Sequence, residues 1–246
     1  MPEGSQKLLV SWKGPKTKKN YFVGLLSKDH TPNGVKYKFI YIHKVVLQAS
    51  EEGFEPFVGL SYLDKEYSSD KLFSVFERRL PNQSRNIFKK FIEDYQLQTS
   101  NAVTWEYLKI TKGRTATDNL SFLEPVYIKK NKLIYSGEIA GWSFTKNNNQ
   151  KLEINNQLIL RIDEKNQKDD MAVEIIDPKN NNERVGFIQK PFNQLFFSLL
   201  KRGYSLNGFI VSIDSDDNRP TINVEKRVSI QDIDTNELKY LIHNMQ

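Results

Sequence analysis

Cysteine is absent from this chain of 246 residues, and histidine occurs three times. Without cysteine there are no disulfides, iron–sulfur centres, thiolate zinc sites or cysteine nucleophiles. His30, His43 and His243 lie far apart in the sequence, so no histidine-based metal site is expected. No run approaches the roughly 18 apolar residues of a membrane span, so no membrane is involved. The opening Met1-Pro2-Glu3-Gly4-Ser5-Gln6-Lys7 lacks the apolar core of a secretory signal, and the expected location is the cytoplasm. The G-x-x-x-x-G-K-[ST] phosphate loop, the G-x-S-x-G elbow and the kinase H-R-D set are also missing. Asp163/Glu164, Asp169/Asp170 and Asp216/Asp217 read as surface-loop acids, because no spacing sets two carboxylates and a lysine on adjacent strand positions. The expectation is a protein that is not an enzyme, with no catalytic residue, metal or cofactor.

What the chain does have is the composition of a folded protein, 38% hydrophobic and 27% charged. Lys and Arg number 36 against 30 Asp and Glu. Divided at Pro125, the first half holds 19 basic and 14 acidic residues and the second 17 and 16, giving surpluses of +5 and +1. Lys13, Lys16, Lys18 and Lys19 form a dense cluster, read either as a solvated loop or as a contact for an anionic partner.

The first half reads as strands followed by helices. Leu8, Val10 and Trp12 share one parity, Tyr21 to Leu26 follows, and Asn33-Gly34 signals a hairpin. Tyr37, Phe39 and Tyr41 then alternate along a strand, as a base-stacking platform or as rings packed on a core. Ser69 is placed to cap a helix with the stripe Leu72, Phe73, Phe76 and Leu80. Ser84 is placed to cap a second, with Ile87, Phe88, Phe91, Ile92 and Tyr95, and Ser100 a third, with Trp105 and Leu108.

The polar stretch 112–132 marks a domain boundary, giving domains 1–125 and 126–246. Strands are expected at 133–142, 157–162, 171–176, 183–188, 209–213 and 221–228. One strong helix interrupts them, from Pro191 through Phe192, Leu195, Phe196, Leu199 and Leu200 to Gly203. Strands around one helix predict a small barrel or sandwich. Leu238, Leu241, Ile242 and Met245 predict a terminal amphipathic helix, and Asn147 to Asn149 and Asn180 to Asn182 are loop tips. The fold class is β-rich α+β: a small α+β domain, then a β-barrel with one main helix.

Asn166-Gln167-Lys168-Asp169-Asp170-Met171-Ala172-Val173, then Val185-Gly186-Phe187-Ile188, then the Pro-initiated helix ending at Gly203, resemble the HIRAN domain. Ile139 to Phe144 looks like that domain's opening strand, and the resemblance runs from about Tyr135 to Val228. It implies an OB-like barrel that binds DNA, as a single strand or a 3′ end. Asn166 matches the family's turn asparagine, and Asp169 the aspartate that faces the terminal hydroxyl. The chain departs from the pattern at Lys168, where an aromatic is common, and at Ser143-Phe144, where helicase members have Arg-Tyr. Trp142, Phe144 or Phe187 would then supply the stacking ring, and Lys168 or Lys190 the phosphate contact.

In the first half, Tyr21 to Leu26, Tyr37 to Tyr41, Phe73 to Phe76 and Leu80-Pro81 resemble the N-terminal subdomain of HipA-type toxin kinases, without the kinase core. Arg114 and Ala116-Thr117-Asp118 resemble a step of bacterial HIRAN proteins. The resemblances together imply a DNA-binding protein of repair, restriction or phage defence, acting with a helicase, nuclease or other defence protein. The rival reading is an adaptor or antitoxin-like subunit that docks a partner enzyme through the HipA-like half.

Overall fold

The computed structural model describes residues 5–82, 84–94, 96–97, 100–145, 152–213, 218–233 and 238–245. Tyr95, Asn147 to Asn149 and Asp216/Asp217, named above, lie outside the described residues, as do the side chains of Ile87, Ser100 and Met245. The chain divides into two compact units, Met1–Glu124 and Pro125–Gln246.

In the first unit, β1 (Gln6–Lys13), β2 (Asn20–Thr31), β3 (Gly34–Tyr41), β4 (Tyr67–Ser69) and β5 (Leu120–Leu123) form an antiparallel sheet ordered β4-β3-β2-β1-β5. Thr31 faces Gly34 across the two-residue loop Pro32-Asn33, so the hairpin cue holds, with the glycine taken into the strand. Tyr37, Phe39 and Tyr41 are buried, and the Phe39 ring lies 4.8 Å from Tyr41 and 5.3 Å from Phe76. These rings are core, not a platform for bases. A Cβ at Gly24 would strike the Phe39 ring, so the glycine makes room for that ring to lie across the sheet.

Helices cover this sheet, and two begin later than expected. Ser69 ends β4 instead of capping a helix; its Oγ accepts the Lys71 amide at 3.1 Å, and α2 is the single turn Ser74–Glu77 behind Phe73. The Asn82 carboxamide takes the Ser84 amide and hydroxyl at 3.0 and 2.9 Å, and α3 starts at Asn86 and runs to Asp94. α4 (Ser100–Ile110) brings Trp105 and Leu108 into the core as the stripe predicts. An unanticipated helix, α1 (His43–Ser50), buries only Val46 and Ala49, too narrow a stripe to stand out in sequence.

The second unit is built on β6 (Val126–Lys129), β7 (Lys132–Glu138), β8 (Gln157–Ile162), β9 (Val173–Asp177), β10 (Glu183–Phe187), β11 (Leu206–Ile213), β12 (Pro220–Arg227) and β13 (Ile242–Met245). Their order is β10-β9-β8-β11-β12-β7-β6-β13, antiparallel except where β13 lies on β6. Just past β7, Ala140 exchanges both backbone hydrogen bonds with Phe187 of β10, each 2.9 Å. That bridge brings the first and sixth strands of the order together, so the sheet curls into the expected partly open barrel. Only glycine fits at 186: a Cβ there would meet the Ala140 carbonyl and the Ile139 side chain, and φ is +151°.

α6 (Phe192–Lys201) lays Phe192, Leu195, Phe196 and Leu199 into the curl, with the Phe192 and Phe196 rings 5.1 and 5.0 Å from Tyr135. Gly203 ends it at φ +86°, its amide and that of Tyr204 returning to the Leu200 and Leu199 carbonyls. Two expectations are corrected. The strand expected to reach Trp142 stops at Glu138; Gly141, at φ +74°, turns the chain into the short helix α5 (Trp142–Thr145). The chain end is not an amphipathic helix: a 3-10 turn at Lys239–Leu241 leads into β13, where the open edge of β6 supplies backbone partners. His243, which a helix would have placed beside its apolar stripe, is buried there 5.7 Å from the Tyr127 ring.

Candidate nucleic-acid interface

The connection from β8 to β9, residues 163–172, is a chain of turns closed by its own side chains. Asp163 Oδ1 accepts the Lys165 amide at 3.2 Å, Asn166 Oδ1 the Lys168 amide at 3.0 Å, and Asp169 Oδ1 the Met171 amide at 3.2 Å. Short oxygen-bearing side chains every three residues thus give the backbone a local alternative to strand pairing. Asn166 therefore is a turn asparagine, as the resemblance implies.

Both ends of this loop are braced. At one end, Asn166 Nδ2 donates to Asp163 Oδ2 at 3.1 Å, and Arg184 of β10 reaches the same oxygen at 3.4 Å. The Arg184 guanidinium also lies 4.9 Å over the Phe187 ring. Glu174 of β9 joins the row, 2.5 Å from Arg161 and 3.9 Å from Arg184. At the other end, Asp169 Oδ2 receives Asn193 Nδ2 at 2.9 Å and Lys190 Nζ at 3.2 Å. Asn193, in the first turn of α6, is buried and also donates to the Met171 carbonyl at 2.9 Å.

Lys168 projects from the middle of the loop, exposed and without an ion pair among the described residues. Asp169 and Lys190 are brought together, and Asn166 and Phe187 are linked through Asp163 and Arg184. The two rings of α5 separate. Phe144 is 90% exposed, whereas Trp142 is 7% exposed. A buried indole cannot receive a base, so Trp142 is a core residue and Phe144 is the exposed ring of the two. The Thr145 hydroxyl lies 3.0 Å from the Val185 carbonyl and fixes α5 against β10.

Sequence reasoning missed Arg184 and Asn193. Arg184 announced itself only as a charge two residues before Gly186. Asn193 is a polar residue flanked by the apolar stripe of α6, which is the mark of a buried amide with a specific partner. Among the described residues, no group of three or more His, Cys, Asp or Glu is arranged to hold a metal ion. No helix among them is long and apolar enough to cross a membrane.

Two solved structures are similar to part of this chain. One is a protein from Lactobacillus plantarum determined by a structural genomics consortium, 17% identical, with 39% of this chain and 98% of that one covered and a TM-score of 0.32. The other is the HIRAN domain of human HLTF, 14% identical, with 40% and 78% covered and a TM-score of 0.33. No curated protein matches the chain. A family model, that of the HIRAN domain, matches residues 134–231. The matched residues run from β7 to the turn after β12.

Proposed function

We propose that the protein is a non-enzymatic DNA-binding protein whose HIRAN domain takes single-stranded DNA at a 3′ end, in DNA repair, restriction or phage defence. HIRAN domains are known for binding single strands and 3′ ends, and the match over residues 134–231 carries the reading. Phe144 supplies a stacking ring at the surface, and base–aromatic stacking contributes about 1–3 kcal/mol per base. Lys168 is the free ammonium for a phosphate. Lys190 and Asn193 hold Asp169 in place, with its side chain 21% exposed at the loop surface. Binding, not bond-making, is the role these groups fit, since none of them forms a nucleophile–base pair.

Titration of a fluorescent single strand with the full chain tests this reading. Affinity should fall steeply between about 50 and 200 mM salt as phosphate contacts release counterions. Absence of binding at the lowest salt would remove it.

A further inference from the structure

Five of the six surplus positive charges lie before Pro125, outside the HIRAN domain. Four of the nineteen basic residues there form ion pairs among the described residues: Lys36 with Asp70, Lys38 with Asp29, Lys109 with Glu106 and Glu124, and Arg79 with Asp118. The loop between β1 and β2 sets four others within seven residues. Lys13, Lys16, Lys18 and Lys19 are all exposed there, and none forms an ion pair among the described residues.

This loop is held by a single carboxylate. Glu52, itself 8% exposed, accepts the Lys16 amide at 3.2 Å, the Thr17 amide at 3.0 Å, the Thr17 hydroxyl and the Tyr21 phenol. Gly14 and Lys19 close the loop from amide to carbonyl at 2.9 Å, and Lys18 returns to Gly14 at 3.1 Å. A Cβ at Gly14 would run into the Glu52 carboxylate, so the glycine is what lets the carboxylate enter. The amides of the loop are thus largely spent internally. What it offers outward is a group of ammonium ions on a backbone already fixed, so a partner has only the lysine side chains left to order.

We propose that the β1–β2 loop is a second phosphate-contacting site, at which Lys13, Lys16, Lys18 and Lys19 engage the backbone of a bound nucleic acid. The +1 surplus of the second half leaves that domain to recognise the strand, while the loop supplies sequence-independent attraction. The proposal rests on the DNA-binding reading above but concerns a different surface.

The test uses the full chain, the variant Lys16→Ala/Lys18→Ala/Lys19→Ala and a labelled 40-nucleotide single strand, with anionic lipid vesicles in parallel. Removing three phosphate contacts should flatten the slope of log affinity against log salt by about two. Affinity at 50 mM salt should fall about tenfold or more, while any preference for a free 3′ end is unchanged. The same slope and affinity in variant and parent would overturn the loop's role and leave the HIRAN reading intact. Loss of vesicle binding without loss of strand binding would overturn it too. Loop-dependent binding with no end preference would retain the loop's role and remove end capture instead. No strand binding by the parent would overturn both.

Discussion

The buried carboxamide of Asn193 donates to Asp169 across 2.9 Å, joining the first turn of α6 to the loop between β8 and β9. Asp169 thus has structural partners, Asn193, Lys190 and the Met171 amide, before any ligand arrives. Its replacement has consequences for folding as well as for binding.

Asp169→Ala should lower stability by about 1–2 kcal/mol, because the buried Asn193 amide loses one of its two acceptors and the Met171 amide loses its side-chain partner. Asp169→Asn keeps an oxygen at the position and should retain most of that stability. Both should weaken capture of a 3′-hydroxyl, since each removes the charge that strengthens the bond. Chemical denaturation alongside strand titration separates the two effects. Unchanged stability in Asp169→Ala would show that the brace to Asn193 does not hold the loop.

The two aromatic residues of α5 should behave oppositely. Phe144→Ala removes an exposed ring, so stability should stay within about 0.5 kcal/mol while single-strand affinity drops by about 1–3 kcal/mol. Trp142→Ala empties a buried site and should destabilise by about 3–5 kcal/mol. A Phe144→Ala variant that binds single strands as well as the parent would take the stacking role from that ring.

Glu52 makes the first unit acid-sensitive. Hydrogen bonds from the Thr17 hydroxyl, the Tyr21 phenol and the Thr17 and Lys16 amides hold its carboxyl down at about 2, against an ordinary 4.5. A folded value below the unfolded one means stability that is fully present above about pH 4.5 and is lost as the pH falls toward 2. The difference in melting temperature between the parent and Glu52→Gln should therefore be largest near pH 6 and shrink steadily below pH 4.5. A difference that does not change with pH would show that the charge of Glu52 contributes nothing to the clamp.

The parts legible in sequence were those where one local rule decides. β8 falls at Gln157–Ile162 as its alternation predicts, and α6 follows its stripe from Pro191 to Gly203. Where tertiary contacts compete with local pattern, the reading moved. Ser69 pairs with Tyr37 in a sheet instead of capping a helix, and the chain end pairs with β6 instead of coiling. In the candidate site, the Asn166 turn could be read from residue type, because the side chain bonds to a backbone amide two residues on. The burial of Trp142 could not, because it depends on the bridge from Ala140 to Phe187, 47 residues away in sequence. Arg184 and Asn193 were hidden for the same reason: their partners Asp163 and Asp169 lie 21 and 24 residues away.

End capture is tested most directly by comparing one strand carrying a free 3′-hydroxyl with the same strand ending in a 3′-phosphate, titrated against the unmodified full chain. A hydrogen bond from the terminal hydroxyl to a charged acceptor is worth about 1.5–3 kcal/mol, so the free end should bind about ten- to a hundredfold more tightly. Equal affinity for the two strands would contradict end recognition, leaving a protein that holds single strands along their length.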